Sequence, residues 1–92
     1  MKSAAKIIVK GTVQGVFFRQ FVKGHADDLK LRGHIRNLDS GDVEVVVEGE
    51  HDAIERLSNI LKKGPQHAQI RDVSFEEKKW SGNFSEFKIL KF

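Results

Sequence analysis

The stretch "DVEVVVEGE", residues 42–50, carries the clearest periodicity in the chain. Val43, Val45 and Val47 alternate with Glu44, Val46 and Glu48, the two-residue period of a strand with one apolar face. This pattern turns the valines toward a core and sets the two acids on a wetter face. Just upstream, "LRGHIRN" (31–37) is a second extended run, and "LDSG" (38–41) joins the two. Asp39, Ser40 and Gly41 are turn formers at hairpin spacing, so the two strands are expected to be antiparallel neighbours.

The reading extends outward in both directions. "AAKIIVKG" (4–11) is rich in branched residues and ends at glycine, as a strand does. Phe18, Phe21, Val22, His25 or Ala26, and Leu29 then follow the three-and-four spacing of an amphipathic helix. Gly24 interrupts that pattern at a cost of ~1 kcal/mol relative to alanine, and nothing in the sequence accounts for it. Beyond the hairpin, Asp52 and Glu55 form a D-x-x-E helix start with Asp52 as the expected cap. Ile54, Leu57, Ile60 and Leu61 supply the apolar face, and Gly64 with Pro65 ends it. A strand over 70–77, with Val73 and Phe75 alternating, and a last extended piece in "FSEFKILKF" (84–92), anchored by Phe84, Phe87 and Ile89, complete the chain.

The order is therefore strand, helix, strand, strand, helix, strand, plus a C-terminal strand. Right-handed crossovers place both helices on one face of a mostly antiparallel sheet. The expected fold is an α/β sandwich (α+β) of the ferredoxin-like βαββαβ kind, as a single domain over residues 1–92. A chain of this length buries roughly two-thirds of its unfolded surface.

Cysteine is absent. Disulfides, thiolate metal ligands and cysteine nucleophiles are excluded together, and the composition fits a reducing cytoplasm. The apolar run near the N-terminus is too short for a signal-peptide core, and no segment reaches membrane-spanning length. A cytoplasmic monomer with no membrane partner is expected. The net charge of +3 favours anionic partners without choosing among them, and is also what an ordinary solvated surface carries. His25, His34, His51 and His67 are scattered, without metal-ligand spacing, so neither metal nor cofactor is expected. His25 falls on the helical stripe and is expected to pack there, while Trp80 and the C-terminal phenylalanines are expected to serve the core or its rim.

Chemistry concentrates in "KGTVQGVFFRQF" (10–21). Gly11 and Gly15 bracket the loop between the first strand and the first helix. In that position the loop amides, and the unpaired ones at the helix start, can converge on an anion. Arg19 lies in the first helical turn, where its guanidinium can grip a phosphate with two parallel hydrogen bonds. The helix dipole disfavours a cation there unless an anion lies between. Spacing alone leaves a plainer reading open, a glycine-bearing turn beside a surface arginine. A nucleotide P-loop is excluded, because Val16 and Phe17 stand where lysine and a hydroxyl residue are needed. Asn37, ahead of its turn, equally reads as a local backbone cap.

Taken together, "GTVQGVFFR" and "GHIRNLDSGDVEVVVEG" resemble the two signatures of the acylphosphatase family. Those are a Gly-x-Val-Gln-Gly-Val-x-Phe-Arg loop, and a Gly-x-x-x-Asn strand followed by a turn, a valine-rich strand and a glycine. The resemblance runs from about residue 5 to the C-terminal strand. It implies metal-independent hydrolysis of a small acyl phosphate to a carboxylate and inorganic phosphate. By position, it implies that Gln14, Gly15, Val16, Phe17 and Phe18 supply loop amides to the phosphate. Arg19 would bind the phosphoryl group and Asn37 would orient the attacking water.

A carboxylate leaves readily, so charge compensation and positioning suffice without a general acid. His34 departs from the family pattern, where an aromatic is commoner, and is expected to affect Asn37 if the two lie close. An RNA-recognition module, the alternative for a basic chain of this order, stacks bases on aromatics of its inner strands. "KIIVK" and "VEVVV" carry none, so no nucleic-acid partner is expected. A domain that only binds a phosphorylated metabolite would keep the loop without needing Asn37.

Overall fold

In the computed structural model, which describes residues 1–13, 15–66 and 68–90, the valine-rich run is strand β3 (Val43–Glu50). It pairs antiparallel with β2 (Arg32–Asn37), register Asn37 to Val43 through Arg32 to Glu48, as the hairpin reading requires. On its other side β3 pairs antiparallel with β1 (Lys2–Thr12), which in turn pairs antiparallel with β4 (Gln69–Lys78). A short β5 (Phe87–Ile89) runs parallel to β2 and makes the sheet mixed, in the order β4-β1-β3-β2-β5. Of the extended piece expected over 84–92, the described residues form a strand of three, and 91–92 lie outside the described residues.

Helix α1 (Val16–Asp28) packs over β2 and β5, and α2 (His51–Lys63) over β1, β3 and β4. Between the layers lie Ala5, Ile7 and Val9 of β1, Ile35 of β2 and the three alternating valines of β3. Phe18, Val22 and Ala26 of α1 and Ile54, Leu57 and Leu61 of α2 close the core from above. Each fully buried large aliphatic or aromatic side chain here contributes ~1.5–3 kcal/mol relative to exposure.

Asp52 is not the cap of α2. Strand β3 runs straight into the helix, so Glu50, still extended at φ −64° and ψ 139°, occupies the N-cap position and no side chain caps it. The His51 N–H is taken instead by the Met1 carbonyl oxygen at 2.9 Å. Asp52 sits in the first turn, where its charge complements the dipole. The other end is as read: Gly64, at φ 71°, donates its N–H to the Ile60 carbonyl at 2.8 Å.

The acids of β3 do face away from the valines, but that face is not wet. Glu44 and Glu48 are each only 6% exposed. The reason is topological: β4 and β5 lie at opposite edges, so residues 79–86 must cross the open face of the sheet. Ser81 donates its N–H and Oγ–H to Glu48 Oε2 at 2.9 and 2.6 Å, and the Gly82 N–H donates to Oε1 at 2.9 Å. Burial pushes the Glu48 carboxyl up, but these three donors outweigh it and hold it below the usual carboxylate range. Glu44 is likewise pushed up by burial and pulled further down, chiefly by Arg36, whose Nε lies 2.8 Å away, with His34 and Lys6 assisting. Phe84 meets the His34 ring edge-on across a centroid distance of 5.9 Å. Trp80 stays half exposed at the rim, while Phe87 belongs to the core.

Candidate active site

Register places the pieces. Val9 pairs with Val43 and Val43 with Asn37, so the C-terminal ends of β1 and β2 lie at one end of the sheet with β3 beginning between them. Two strand spacings put Asn37 about 10 Å from Val9. Past Val9, residues 10–12 of β1 pair with β4 alone. The loop leaving β1 therefore lies between the β2–β3 hairpin on one side and the start of β4 on the other. Helix α1 begins there and lies over β2, so its N-terminus and Asn37 share that end. Asn37 falls on the same face of β2 as buried Ile35, the helix-covered face.

Glycine is required in the loop for two different reasons. Gly11, at φ 141°, sits at the register shift against β4, and a Cβ there would run into the Gln69 carbonyl oxygen. Gly15, at φ 145°, has open space where its Cβ would be, so the backbone conformation alone selects it. Gly15 is the N-cap of α1, no side chain caps that end, and its first turn holds no acid.

Arg19 folds back onto this helix end. Its backbone N–H and its Nε–H both donate to the Gly15 carbonyl oxygen, each at 3.3 Å. The guanidinium is thereby held at the positive end of a helix, an unfavourable address without an anion. Val16 and Phe17 are exposed, whereas the Phe18 side chain is buried in the core and anchors the turn. Toward an anion at the helix end Phe18 thus presents its backbone. Gln14 lies outside the described residues.

Asn37 does not cap its turn. The hairpin is closed by Leu38 N–H to the Asp42 carbonyl at 2.8 Å, Gly41 N–H to the Leu38 carbonyl at 3.0 Å, and Asp42 N–H to Ser40 Oγ at 3.4 Å. Asn37 Oδ1 is buried and has no hydrogen-bond partner among the described residues. Such an atom needs an explanation, because an unsatisfied buried acceptor costs about 1–3 kcal/mol. His34, three residues earlier on β2, projects to the opposite face beside Glu44 and Phe84, so the two do not share a neighbourhood.

One feature of this end was not legible in the sequence. Phe17 and Phe18, with Thr12, Pro65, Gln66 and Ala68, line a largely apolar cleft of about 410 Å³ beside the loop. Pro65 reads in sequence only as a helix stop, and periodicity carries no signal for a cleft built from two connections. Among the described residues, no group of three or more His, Cys, Asp or Glu is arranged to hold a metal, and no helix is long and apolar enough to cross a membrane.

The family model for acylphosphatase matches residues 5–89, covering both the glycine-bracketed loop and the Asn37 hairpin. The chain belongs to the acylphosphatase family. An acylphosphatase of Dehalococcoides mccartyi is 42% identical over 85 residues, spanning 91% of this chain and 93% of that one. Among solved structures, an acylphosphatase from Coxiella burnetii superposes with a TM-score of 0.89 at 39% identity, covering 97% of this chain and 93% of its own. The crystal structure of acylphosphatase from Bacillus subtilis gives 0.90 at 37% identity, covering 98% and 99%. The βαββαβ order with a fifth strand is therefore the acylphosphatase fold, and its mixed sheet follows from the parallel β2–β5 pair.

Proposed function

We propose that this chain is an acylphosphatase whose phosphate-binding loop is the turn from β1 into α1. Backbone N–H groups of residues 14–18 and the Arg19 guanidinium hold the phosphoryl oxygens, and Asn37 orients water. The water oxygen forms a new bond to phosphorus while the bond from phosphorus to the acyl oxygen breaks. The carboxylate departs with that electron pair, and the water proton ends on the phosphate product or in solvent. Fixed donors aimed at the phosphoryl oxygens supply the charge compensation this needs, and no metal takes part.

The observation that carries the reading is the unpartnered Oδ1 of Asn37, buried at the same end of the fold as the helix terminus that holds Arg19. An amide with a free acceptor and two donors can fix a water in both position and orientation. The loop, Arg19 and Asn37 all fall within the one domain proposed for residues 1–92, so the proposed site needs no second chain to complete it, which favours a monomer. The lack of cysteine favours a cytoplasmic setting.

The test is phosphate release from benzoyl phosphate in the presence of a chelator, for the native protein and Asn37→Ala. Turnover should survive chelation and fall about 100-fold or more in the variant, while competitive inhibition by inorganic phosphate stays within about threefold. Equal loss of turnover and phosphate affinity would remove Asn37 from the water-positioning role. A folded native protein that binds phosphate without turnover would reduce the chain to a binding domain.

A further inference from the structure

Phe17 stands out among the apolar side chains of this end: it is 88% exposed, in the first turn of α1, with no core to serve. It forms one wall of the cleft of about 410 Å³ whose other walls are Thr12 at the end of β1, the buried Phe18, and Pro65, Gln66 and Ala68 on the connection from α2 to β4. The volume falls within the roughly 300–1,000 Å³ typical of small-ligand sites. We infer that this cleft is the acyl-group subsite of the enzyme, and that Phe17 selects acyl phosphates whose acyl group is flat and apolar. The inference rests on the acyl phosphate reading given above.

The geometry of displacement at phosphorus carries it. Attacking and leaving oxygens lie roughly in line, on opposite sides of the phosphorus atom. Asn37 lies on the β2 side of the loop, two strand positions from β1. Water oriented by Asn37 therefore drives the leaving group toward the other side, where Thr12 pairs with Gln69 at the start of β4. The cleft lies on that side, lined by Thr12 at the end of β1 and by Pro65, Gln66 and Ala68 just ahead of β4. It is continuous with the loop, because Phe17 contributes its amide to the helix end and its ring to the cleft wall.

The lining also sets the chemical class. Phe17, Phe18, Pro65 and Ala68 offer apolar surface, with only Thr12 and Gln66 as neutral polar groups and no charged side chain among the described lining residues. An acyl group with a second carboxylate or phosphate would find no counter-charge among those residues. An aryl or short branched alkyl group buries its surface against the Phe17 ring and Pro65.

The test uses two non-hydrolysable isosteres in which a methylene replaces the bridging oxygen: phenacylphosphonate for benzoyl phosphate and acetonylphosphonate for acetyl phosphate. Their affinities are measured by calorimetry on the native protein, Phe17→Ser and Phe17→Trp. The native protein should prefer the phenacyl compound by about tenfold, Phe17→Ser should bring the ratio to about two or less, and Phe17→Trp should keep it. A ratio near one in the native protein, or one unchanged in Phe17→Ser, overturns the subsite. Benzoyl phosphate turnover, followed in parallel, separates the two readings. Preference without turnover leaves the subsite standing and removes the hydrolytic function, whereas turnover without preference does the reverse.

Discussion

Arg36 and Glu44 meet across the β2–β3 pair with 2.8 Å between Nε and Oε1, on the face of the sheet away from Asn37. Glu44 is buried and still held below the usual carboxylate range, as is Glu48 beneath the crossing segment. A carboxyl depressed in the folded state adds stability that is present above its unfolded value, near about 4.3, and is lost as pH falls through the folded value. The denaturation midpoint should therefore fall steadily as pH drops below about 4.3. Glu44→Gln should start lower and lose less over that acid limb. Parallel curves for native and variant protein would show that Glu44 does not drive the acid response. Because Arg36 is itself partly exposed, added salt should weaken its share.

Gly24 lies mid-helix in α1, exposed, and an added Cβ would meet nothing within 4 Å. Alanine there removes backbone freedom from the unfolded chain without a steric cost in the folded one. Gly24→Ala should stabilise by about 0.5–1 kcal/mol, seen as a rise of roughly 4–8 °C per kcal/mol in thermal melting. Turnover should be unchanged, since the position faces away from the core. An unchanged or lowered Tm would mean that the glycine has a role in the fold that its open surroundings do not reveal.

The two loop glycines should fail in different ways. Gly11→Ala drives a methyl into the Gln69 carbonyl, so it should disrupt the β1–β4 pairing and show chiefly as lost stability. Gly15→Ala meets no atom but forces an unfavourable backbone conformation of ~1–3 kcal/mol onto the helix N-cap. The loop can relax locally there, so phosphate affinity should fall more than Tm does. Paired melting curves and phosphate titrations distinguish the cases. Equal behaviour of the two variants would contradict this division.

The contrast between legible and illegible features follows from the range over which each is specified. Val43, Val45 and Val47 announce their strand because alternation is local, and Gly64 announces a helix end because its conformation is local. Which face of β3 is wet depends on where residues 79–86 pass, a segment without periodicity whose course is fixed only once β4 and β5 sit at opposite edges. The D-x-x-E pattern of Asp52 misleads because β3 enters α2 without a loop, leaving the cap position to Glu50. At the site, Arg19 and Asn37 stand in recognisable strings of residues. Their common end of the sheet follows from the register that links Val9, Val43 and Asn37. The Phe17 cleft needed two connections far apart in sequence and had no string to mark it.

Arg19 offers the sharpest separation of function from stability. It is held by Nε to the Gly15 carbonyl at 3.3 Å, at a helix end where a cation costs about 0.3–1 kcal/mol. Arg19→Ala relieves that cost and gives up one long, exposed hydrogen bond, so thermal stability should hold steady or rise slightly. Phosphate affinity and turnover should be lost together, because in the proposed mechanism the same guanidinium serves both. Arg19→Lys keeps the charge but lacks the planar fork: its three donors all sit on one nitrogen, so it cannot stay tied to Gly15 through one nitrogen while gripping an oxygen through another. It should recover part of the phosphate affinity, within about tenfold of native, and less of the turnover, which depends on the orientation of the phosphoryl group. A destabilised Arg19→Ala with phosphate affinity intact would make the arginine a structural tether of the loop and nothing more.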